Sequence, residues 1–303
     1  MDKFKLWISA FRLRTLPLSV SGIIVGTCLA YYNGFFNILI FVFAILATVS
    51  LQILSNLAND YGDGVKGTDN DQRIGPERAV QSGKITPEQM FEAIKINILI
   101  VILIVFLLIL VSFGRNYFWY SLIFFVLTGL SIYAAIKYTV GESAYGYRAL
   151  GDLMVFIFFG LLSVMGTYFL FTRNLDDFIL LPACAIGFLS AGVLNLNNMR
   201  DIESDKTSDK ITLALKLGIK RAKKYHCALI IGAILCTLGF GVLYYRSPFN
   251  FMFIAMYIPL IMHLLAVLKA KDVKLLDKQL KVLALSTFGL AILLGLGYVI
   301  PVL

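Results

Sequence analysis

The sequence contains 303 residues, of which 59% are hydrophobic and 15% are charged, and its formal net charge is +9. Its mean hydropathy is +0.83. Soluble domains carry about 25% charged residues, so this composition excludes a soluble fold and indicates a protein with several membrane spans. Residues 98–111 form an unbroken apolar run, whereas the strands of a membrane β-barrel alternate polar and apolar residues. The spans are therefore predicted to be α-helices.

Nine apolar segments are long enough to cross a bilayer, which requires roughly 20 residues per helix. We predict one all-α domain over residues 1–303, a polytopic bundle of nine transmembrane helices. The predicted spans are approximately 16–32, 36–58, 94–113, 117–136, 151–172, 178–198, 226–245, 249–268 and 281–301. His226 and His263 are far from the acidic residues in sequence, and we interpret them as satisfied core or surface residues.

The basic residues predict the orientation of the bundle. A cytoplasmic N-terminus places 24 of the 27 Lys and Arg residues inside and leaves Arg115, Arg173 and Arg246 outside. The positive-inside rule then predicts a multi-pass protein of the cell (inner) membrane with its C-terminus outside. The same asymmetry accounts for the positive net charge, so lipid is the expected surrounding partner and no nucleic-acid partner is predicted.

The first acidic stretch, NLANDYGD at residues 56–63, closes the second predicted span. A long connection follows it, and Thr86 with Pro87 predicts the start of a short helix there. The second stretch, NLNNMRDIESD at residues 195–205, closes the sixth span, and a helix-like segment follows at residues 212–224. Both connections are long enough to act as functional caps, each with a short amphipathic helix.

Carboxylates at membrane depth are costly unless they face water, one another or a cation. On a helix, the amide and acidic residues of each stretch share one face. They are Asn56, Asn59, Asp60 and Asp63 in the first stretch and Asn198, Asp201 and Asp205 in the second. A similar pattern in both halves of the chain predicts one shared site.

Oxygen ligands of this kind suit Mg²⁺, which commonly takes one or two carboxylates together with substrate phosphate and water. Two facing helices with this pattern could hold two Mg²⁺ ions around a diphosphate. An ordinary helix end emerging into water is the simpler interpretation of either stretch alone. A cation-coupled transporter would also need paired carboxylates, but near mid-membrane and in broken helices. Here they lie at helix ends beside long basic caps.

The motifs NxxNDxxD at residues 56–63 and RDxxxDxxxxK at residues 200–210 resemble the two aspartate-rich motifs of the UbiA superfamily of intramembrane prenyltransferases. The resemblance covers essentially the whole chain. Residues 12–17, 73–83 and 146–152 are similar to the menaquinone-pathway branch of the family. The family usually spaces its first motif as NxxxDxxxD, which leaves open whether Asn59 or Asp60 faces the metal. Asp209 stands where family members often carry glycine.

The resemblance implies a nine-helix, Mg²⁺-dependent enzyme that takes a polyprenyl group from polyprenyl diphosphate. In this branch the aromatic acid acceptor is 1,4-dihydroxy-2-naphthoate, and the product is demethylmenaquinone, with loss of diphosphate and CO₂. Another aromatic acceptor such as 4-hydroxybenzoate is the alternative. Cations at the site would neutralise charge on the leaving diphosphate, so that the C–O bond can ionise toward an allylic cation.

The predicted catalytic residues are Asp60, Asp63, Asp201, Asp205 and Lys137, of which Lys137 ends a YxxxK element like that of the family. For Lys137 a positive-inside anchor is the alternative role. The predicted substrate-binding residues are Arg14, Arg73, Arg78, Tyr133, Lys137, Tyr147, Arg148 and Lys210. Guanidinium groups bind carboxylates in bidentate fashion, so Arg73 and Arg78 are expected to close over the acceptor.

The prenyl tail is expected to enter directly from the bilayer, because each CH₂ exposed to water costs roughly 0.8 kcal/mol. Small residues could thin the wall of a groove for the tail, and bulky substitutions at Gly160 or Gly295 are expected to shorten the longest tail accepted. These residues are Gly151, Gly160 and Gly166 in the fifth predicted span and Gly289, Gly295 and Gly297 in the ninth. Close helix packing is the alternative use of these glycines.

Overall fold

The computed structural model describes residues 3–68 and 78–303. Over these ranges the chain is helical, without β-strands, and nine helices are long and apolar enough to cross a membrane. They are α1 Lys5–Tyr32, α2 Ile38–Val65, α3 Pro87–Phe113, α4 Phe118–Lys137, α5 Gly151–Thr172, α6 Asp177–Arg200, α7 Leu213–Leu243, α8 Pro248–Lys269 and α9 Val273–Val302. The predicted all-α class and helix count are thereby confirmed.

Side-chain caps determine where several of these helices begin. The Asn37 side chain accepts a hydrogen bond from the Leu39 N–H at the start of α2, and Thr86 forms a capping box at the start of α3. Thr212 likewise caps α7 through the Leu215 N–H. Each cap satisfies a backbone N–H that has no partner within its own helix.

These boundaries correct the predicted cap helices. Thr86 is the N-cap of the membrane helix α3 and not of a short cap helix. The segment at residues 212–224 is likewise the first part of α7. At Gly218 the backbone of α7 is broken, with φ at 70°, a left-handed conformation that glycine adopts without strain. In the described part of the second cap a six-residue helix, Ile202–Thr207, precedes α7. A capping signal marks the start of a helix but carries no information about its length.

The helices differ strongly in how much of their surface they bury. In its most apolar stretch α6 buries 67% of its residues, whereas α4 buries only 6%. Helix α6 therefore lies inside the bundle, and α4 lies on its outside. The small residues of α6 allow close contact, since a Cβ at Gly160 of α5 would lie 2.5 Å from the Gly187 Cα. Small residues commonly let membrane helices approach in this way.

The glycine positions correct the predicted tail groove. Gly160 packs α5 against the backbone of α6, and a Cβ at Gly295 of α9 would lie 2.7 Å from the Cys28 Sγ of α1. Both glycines therefore serve helix packing and do not line the large cavity described below, whereas Gly166, one of the six glycines predicted for the groove, does line it.

The two histidines join three helices. The His226 Nε2 on α7 lies 2.9 Å from the His263 Nε2 on α8, and the His263 Nδ1 lies 2.9 Å from the Gln279 Oε1 on α9. Both rings are buried. Both histidines are therefore core residues, and His263 is fully hydrogen-bonded, whereas the buried His226 Nδ1 has no hydrogen-bond partner among the described residues.

Candidate active site

Asp63, in the last turn of α2, accepts hydrogen bonds from three separate segments of the chain. Its Oδ2 lies 2.6 Å from the Arg78 Nη1 and 3.4 Å from the Lys210 Nζ, and its Oδ1 lies 2.8 Å from the Tyr147 hydroxyl. Arg78 belongs to the first cap, Lys210 to the second, and Tyr147 to the α4–α5 connection. Both caps and this connection therefore converge on one buried carboxylate, at what we call the cap end of the bundle.

Two more lysines surround Tyr147 and Asp63. The Lys66 Nζ lies 4.1 Å from the centre of the Tyr147 ring and donates a 2.8 Å hydrogen bond to the Gly141 carbonyl. The Lys137 Nζ lies 3.0 Å from the position that a Cβ on Gly141 would take. Burial, reinforced by the charge of Asp63, raises the pKa of Tyr147, so that the phenol stays protonated and donates. Lys66 was missed by sequence reasoning, although it stands one helical turn after Asp63.

Asp205 brings the second acidic stretch to the same place. Its side chain is buried, and this burial raises its pKa to about 7. The nearby charges of Asp201 and Asp63 act in the same direction, and Lys210 opposes them. The two motifs therefore meet at the cap end, where burial disfavours the charged form of Asp205.

The other motif residues are held by contacts within the protein. The Asp60 carboxylate accepts from the Ala79 and Val80 N–H groups at 3.2 and 3.1 Å. The Asp201 carboxylate forms two hydrogen bonds with Arg200, of 2.8 and 2.6 Å. The Asn56 Nδ2 donates to the Phe11 carbonyl at 2.9 Å, and the Asn59 Oδ1 accepts from the Thr139 hydroxyl at 3.3 Å. Within residues 3–68 and 78–303, no three Asp, Glu, His or Cys side chains lie close enough to hold one metal ion.

Replacing Asp60 with Ala is expected to loosen the first cap. Two backbone N–H groups would lose their acceptor, at a cost of about 1–3 kcal/mol for each group left buried and unpaired. Trypsin should then cut after the exposed Lys84 several times faster than in the wild type. Glu203→Ala is the matched control, because Glu203 is exposed in the second cap and its loss leaves the contacts of Asp60 and Asp63 with the first cap in place. Unchanged trypsin cleavage in Asp60→Ala would show that Asp60 does not hold the cap.

The backbone before Lys210 has an unusual conformation. Asp209 has φ at 52°, in the left-handed region. This geometry explains why glycine is common at that position in the family, since glycine adopts it without strain. On the other side of Lys210, the Ile211 carbonyl accepts a 2.8 Å hydrogen bond from the Ala149 N–H. The second cap is thus tied to the α4–α5 connection next to the charged cluster.

Within the described part of the chain, other predicted residues are not among the side chains that contact Asp63. Arg14 is exposed in the 3₁₀ turn Leu13–Thr15 of α1, and Arg148 is exposed in the α4–α5 connection, next to Tyr147. Tyr133 is 61% exposed on α4 and does not line the cavity described below. Asn198 is buried in the last turn of α6. Arg73 lies outside the described residues.

A cavity of about 320 Å³ opens beside the charged cluster. Asn59, Tyr138 and Tyr145 line it at the cap end, and Leu108 and Phe124 line it toward the opposite end of the bundle. Its walls come from α1 to α5, with Leu194 of α6, and are largely apolar. Sequence reasoning missed Tyr138 and Tyr145, although Tyr138 directly follows Lys137. Burial raises the pKa of both phenols, so both are neutral.

Part of the cavity wall is a π-helix. Residues Phe156–Gly166 of α5 have π-helical hydrogen bonding, and Phe158, Phe159 and Ser163 from this segment line the cavity. Long π-helices are rare, and the short ones that occur often lie at functional sites.

A charged cluster next to a largely apolar cavity defines a membrane protein suited to a ligand with an anionic head and an apolar tail. Residues 19–288 match the family described as "UbiA prenyltransferase family". The chain belongs to this family and is an aromatic prenyltransferase, as its motifs predicted.

Similar proteins of known name agree with this membership. The chain is 43% identical over 254 residues to 1,4-dihydroxy-2-naphthoate octaprenyltransferase of Escherichia coli, with 84% of this chain and 82% of the relative covered. It is 40% identical over 303 residues to the protein of the same name in Haemophilus influenzae, with 99% and 97% covered.

Solved structures share the fold at low sequence identity. The apo structure of a UbiA homolog from Aeropyrum pernix superposes with a TM-score of 0.71 at 16% identity, covering 96% of this chain and 99% of that one. A UbiA homolog from Archaeoglobus fulgidus, bound to DMAPP and Mg²⁺, superposes with a TM-score of 0.62 at 14% identity, covering 93% and 98%.

Proposed function

We propose that this protein transfers a polyprenyl group from polyprenyl diphosphate to 1,4-dihydroxy-2-naphthoate, releasing diphosphate and CO₂ and giving demethylmenaquinol, the reduced form of demethylmenaquinone. The observation that carries the proposal is the cluster of basic side chains around Asp63, which adjoins an apolar cavity through Asn59: Asn59 lines the cavity, and its carbonyl accepts a 2.9 Å hydrogen bond from Arg78. This combination suits a substrate with an anionic head and a hydrocarbon tail. The acceptor is inferred from the names of the two bacterial relatives.

The diphosphate would be bound by the basic residues of the cluster. Arg78 and Lys210 contact Asp63 directly, and Lys66 and Lys137 lie beside them. Positive groups held in a buried site stabilise negative charge that develops on a leaving group. The protonated Tyr147 hydroxyl is a further donor. These residues would stabilise the leaving diphosphate while the allylic C–O bond breaks.

Asp63 and Asp205 fit a divalent cation. Both are buried carboxylates, and a bound cation would offset the burial that disfavours the charged form of Asp205. A solved homologue binds DMAPP with Mg²⁺, which supports the same metal here. When bound, Mg²⁺ would supply further neutralisation of the diphosphate charge. Asp60 and Asp201 would support this pair through their contacts with the first cap and with Arg200.

The cavity would bind the tail and protect the reacting carbon from water. Its apolar walls exclude the water that would otherwise capture an allylic cation. The rings of Tyr138 and Tyr145 stand at the cap end, where their faces can stabilise a cation electrostatically. The electron-rich ring carbon of the acceptor that carries the carboxylate then attacks the allylic carbon, and this carboxylate leaves as CO₂.

We further propose that the cap end faces the cytoplasm of the cell inner membrane. The support is the position of the basic residues, which the positive-inside rule places inside. A C-terminal alkaline phosphatase fusion tests this orientation, because the enzyme is active only outside the cytoplasm. An inactive phosphatase fusion with a fluorescent GFP fusion at the same end would reverse the proposed orientation.

The test of the reaction uses purified protein in lipid nanodiscs with Mg²⁺ and octaprenyl diphosphate. 1,4-Dihydroxy-2-naphthoate and 4-hydroxybenzoate are supplied in separate reactions, and products are identified by mass. We expect a product from the naphthoate that has gained the prenyl group and lost CO₂. A product only from 4-hydroxybenzoate, with its carboxylate retained, would contradict the proposed acceptor.

Stabilisation by Mg²⁺ is expected to increase with pH. A carboxyl group with a pKa of about 7 is mostly protonated at pH 6 and mostly ionised at pH 8, and only the ionised form binds a cation. Without metal, the raised pKa means that the contribution of Asp205 to stability falls as the pH rises through 7. The increase in melting temperature caused by Mg²⁺ should therefore be larger at pH 8 than at pH 6. In Asp205→Asn this difference should disappear, and an unchanged difference would assign the pH dependence to another group.

A further inference from the structure

A second cavity lies at the cap end of α7, apart from the candidate active site. It measures about 120 Å³ and is lined by Ile219, Lys220 and Lys223 of α7, by residues 270–273 and by Leu276. None of these residues lines the larger cavity between α1 and α5. It is therefore a separate pocket, formed where α7 meets the α8–α9 connection.

The segments around this pocket carry a strong positive charge. Residues 216–224 and 269–281 contain ten Lys and Arg residues and only two acidic residues, Asp272 and Asp277. The Asp277 Oδ1 accepts a 2.6 Å hydrogen bond from the Arg200 Nη1, and the Asp272 Oδ1 accepts a 2.9 Å hydrogen bond from the Lys274 N–H. Of the residues that line the pocket itself, Lys220, Lys223 and Lys271 are cationic and only Asp272 is acidic, so the lining has an excess of two positive charges.

One of these cations is held in place by the fold. The Lys223 Nζ donates hydrogen bonds to the Ala270 carbonyl at 2.6 Å and to the Leu268 carbonyl at 3.5 Å. An ammonium group has three N–H donors, so one remains for a ligand. Lys220 and Lys271 are exposed at the same pocket. The chemistry of this group of lysines suits a phosphate.

The pocket also has apolar surface beside it. Ile219, Val273 and Leu276 form part of its lining. In the last turns of α8, directly before the pocket, Leu265 and Leu268 are 49% and 47% exposed, and Leu275 is 54% exposed. Exposed apolar side chains at the end of a membrane helix contact lipid tails. A soluble phosphate has no apolar part that could contact them.

We propose that this pocket binds the phosphate headgroup of an anionic membrane phospholipid, with its acyl chains against α8. Basic pockets between membrane helices are suited to anionic headgroups. If only the general excess of basic residues on the cytoplasmic side attracted such lipids, every lysine there would contribute equally. A specific pocket instead binds one lipid through the lysines that line it.

The test measures binding of spin-labelled phosphatidylglycerol and phosphatidylcholine to the full-length protein in vesicles. The wild type should prefer phosphatidylglycerol. In Lys220→Gln/Lys223→Gln/Lys271→Gln this preference should fall by about fivefold for each lysine that contacts the headgroup, the effect of one basic residue near an anionic surface. Lys220→Glu and Lys271→Glu as single variants provide the same test without changing the Lys223 contacts.

Lys5→Gln/Lys95→Gln is the matched control, since neither lysine lines the pocket and both are at the cap end. This control should keep the wild-type preference. An unchanged preference in the pocket variants, or an equal loss in the control, would overturn the proposal. Displacement of the labelled lipid by soluble glycerol phosphate at equal concentration would also overturn it, because the apolar contacts would then contribute nothing.

Discussion

Asp63→Asn and Asp205→Asn are each expected to lower prenyl transfer by about 100-fold or more, the usual cost of removing one group from a preorganised charged site. Asparagine keeps the size of the side chain but removes the negative charge. For Asp63 this change breaks the ion pairs with Arg78 and Lys210, and for Asp205 it removes the carboxylate that we propose binds the metal. Turnover is measured by product mass at saturating Mg²⁺.

Asp209→Asn is the matched control for these variants. Asp209 is exposed and lies in the same cap, and asparagine tolerates its left-handed backbone. Its turnover should stay within about twofold of the wild type, as for surface substitutions away from a site. Melting temperatures of all three variants separate loss of chemistry from loss of fold. Wild-type turnover in either Asp63→Asn or Asp205→Asn would contradict the assignment of that carboxylate.

Gly166→Leu is expected to shorten the longest prenyl donor that the enzyme accepts. Gly166 lines the large cavity, and the nearest atom to a Cβ there is the end of the Leu162 side chain, at 3.3 Å. The new side chain can therefore enter the cavity without meeting the backbone. We expect kcat/KM for octaprenyl diphosphate to fall by about tenfold or more, from 1–3 kcal/mol of overpacking, while geranyl diphosphate is little affected.

Two other glycines test the cause of this effect. Gly129 on α4 has no atom within 4 Å of a Cβ position, so Gly129→Leu should leave both donors unaffected. Gly160→Ala would press on the backbone of α6 and should lower the melting temperature without changing the ratio of long to short donors. If Gly166→Leu lowers activity with both donors equally, the tail does not pass this residue.

The amino-acid sequence determined the class of fold and the location of the candidate site. A bilayer leaves no water to satisfy backbone polar groups, so apolar segments of about 20 residues have to form helices. That constraint made the nine spans predictable. The period of the helix similarly placed Asn56, Asp60 and Asp63 on one face, and the matching pattern after α6 indicated that the two faces meet.

The partners of each side chain were decided by the tertiary structure. Helical period gives the direction of a residue on its own helix, but not the segment that packs there. Asp60 and Asp63 are one turn apart, yet Asp60 binds backbone amides of the first cap whereas Asp63 binds side chains from three connections. Only the fold brings residues 78 and 210 to the same carboxylate.

Tertiary packing also decides which glycines of α5 line the cavity and which pack against another helix. Gly160 and Gly166 belong to one helix and look equivalent in sequence, but six residues turn the helix far enough that they face different neighbours. Gly160 meets the backbone of α6, and Gly166 borders open space between α1 and α5. The sequence alone determined that α5 carries small residues in an apolar span, and only the packing of its neighbours determined which of them leaves room for a tail.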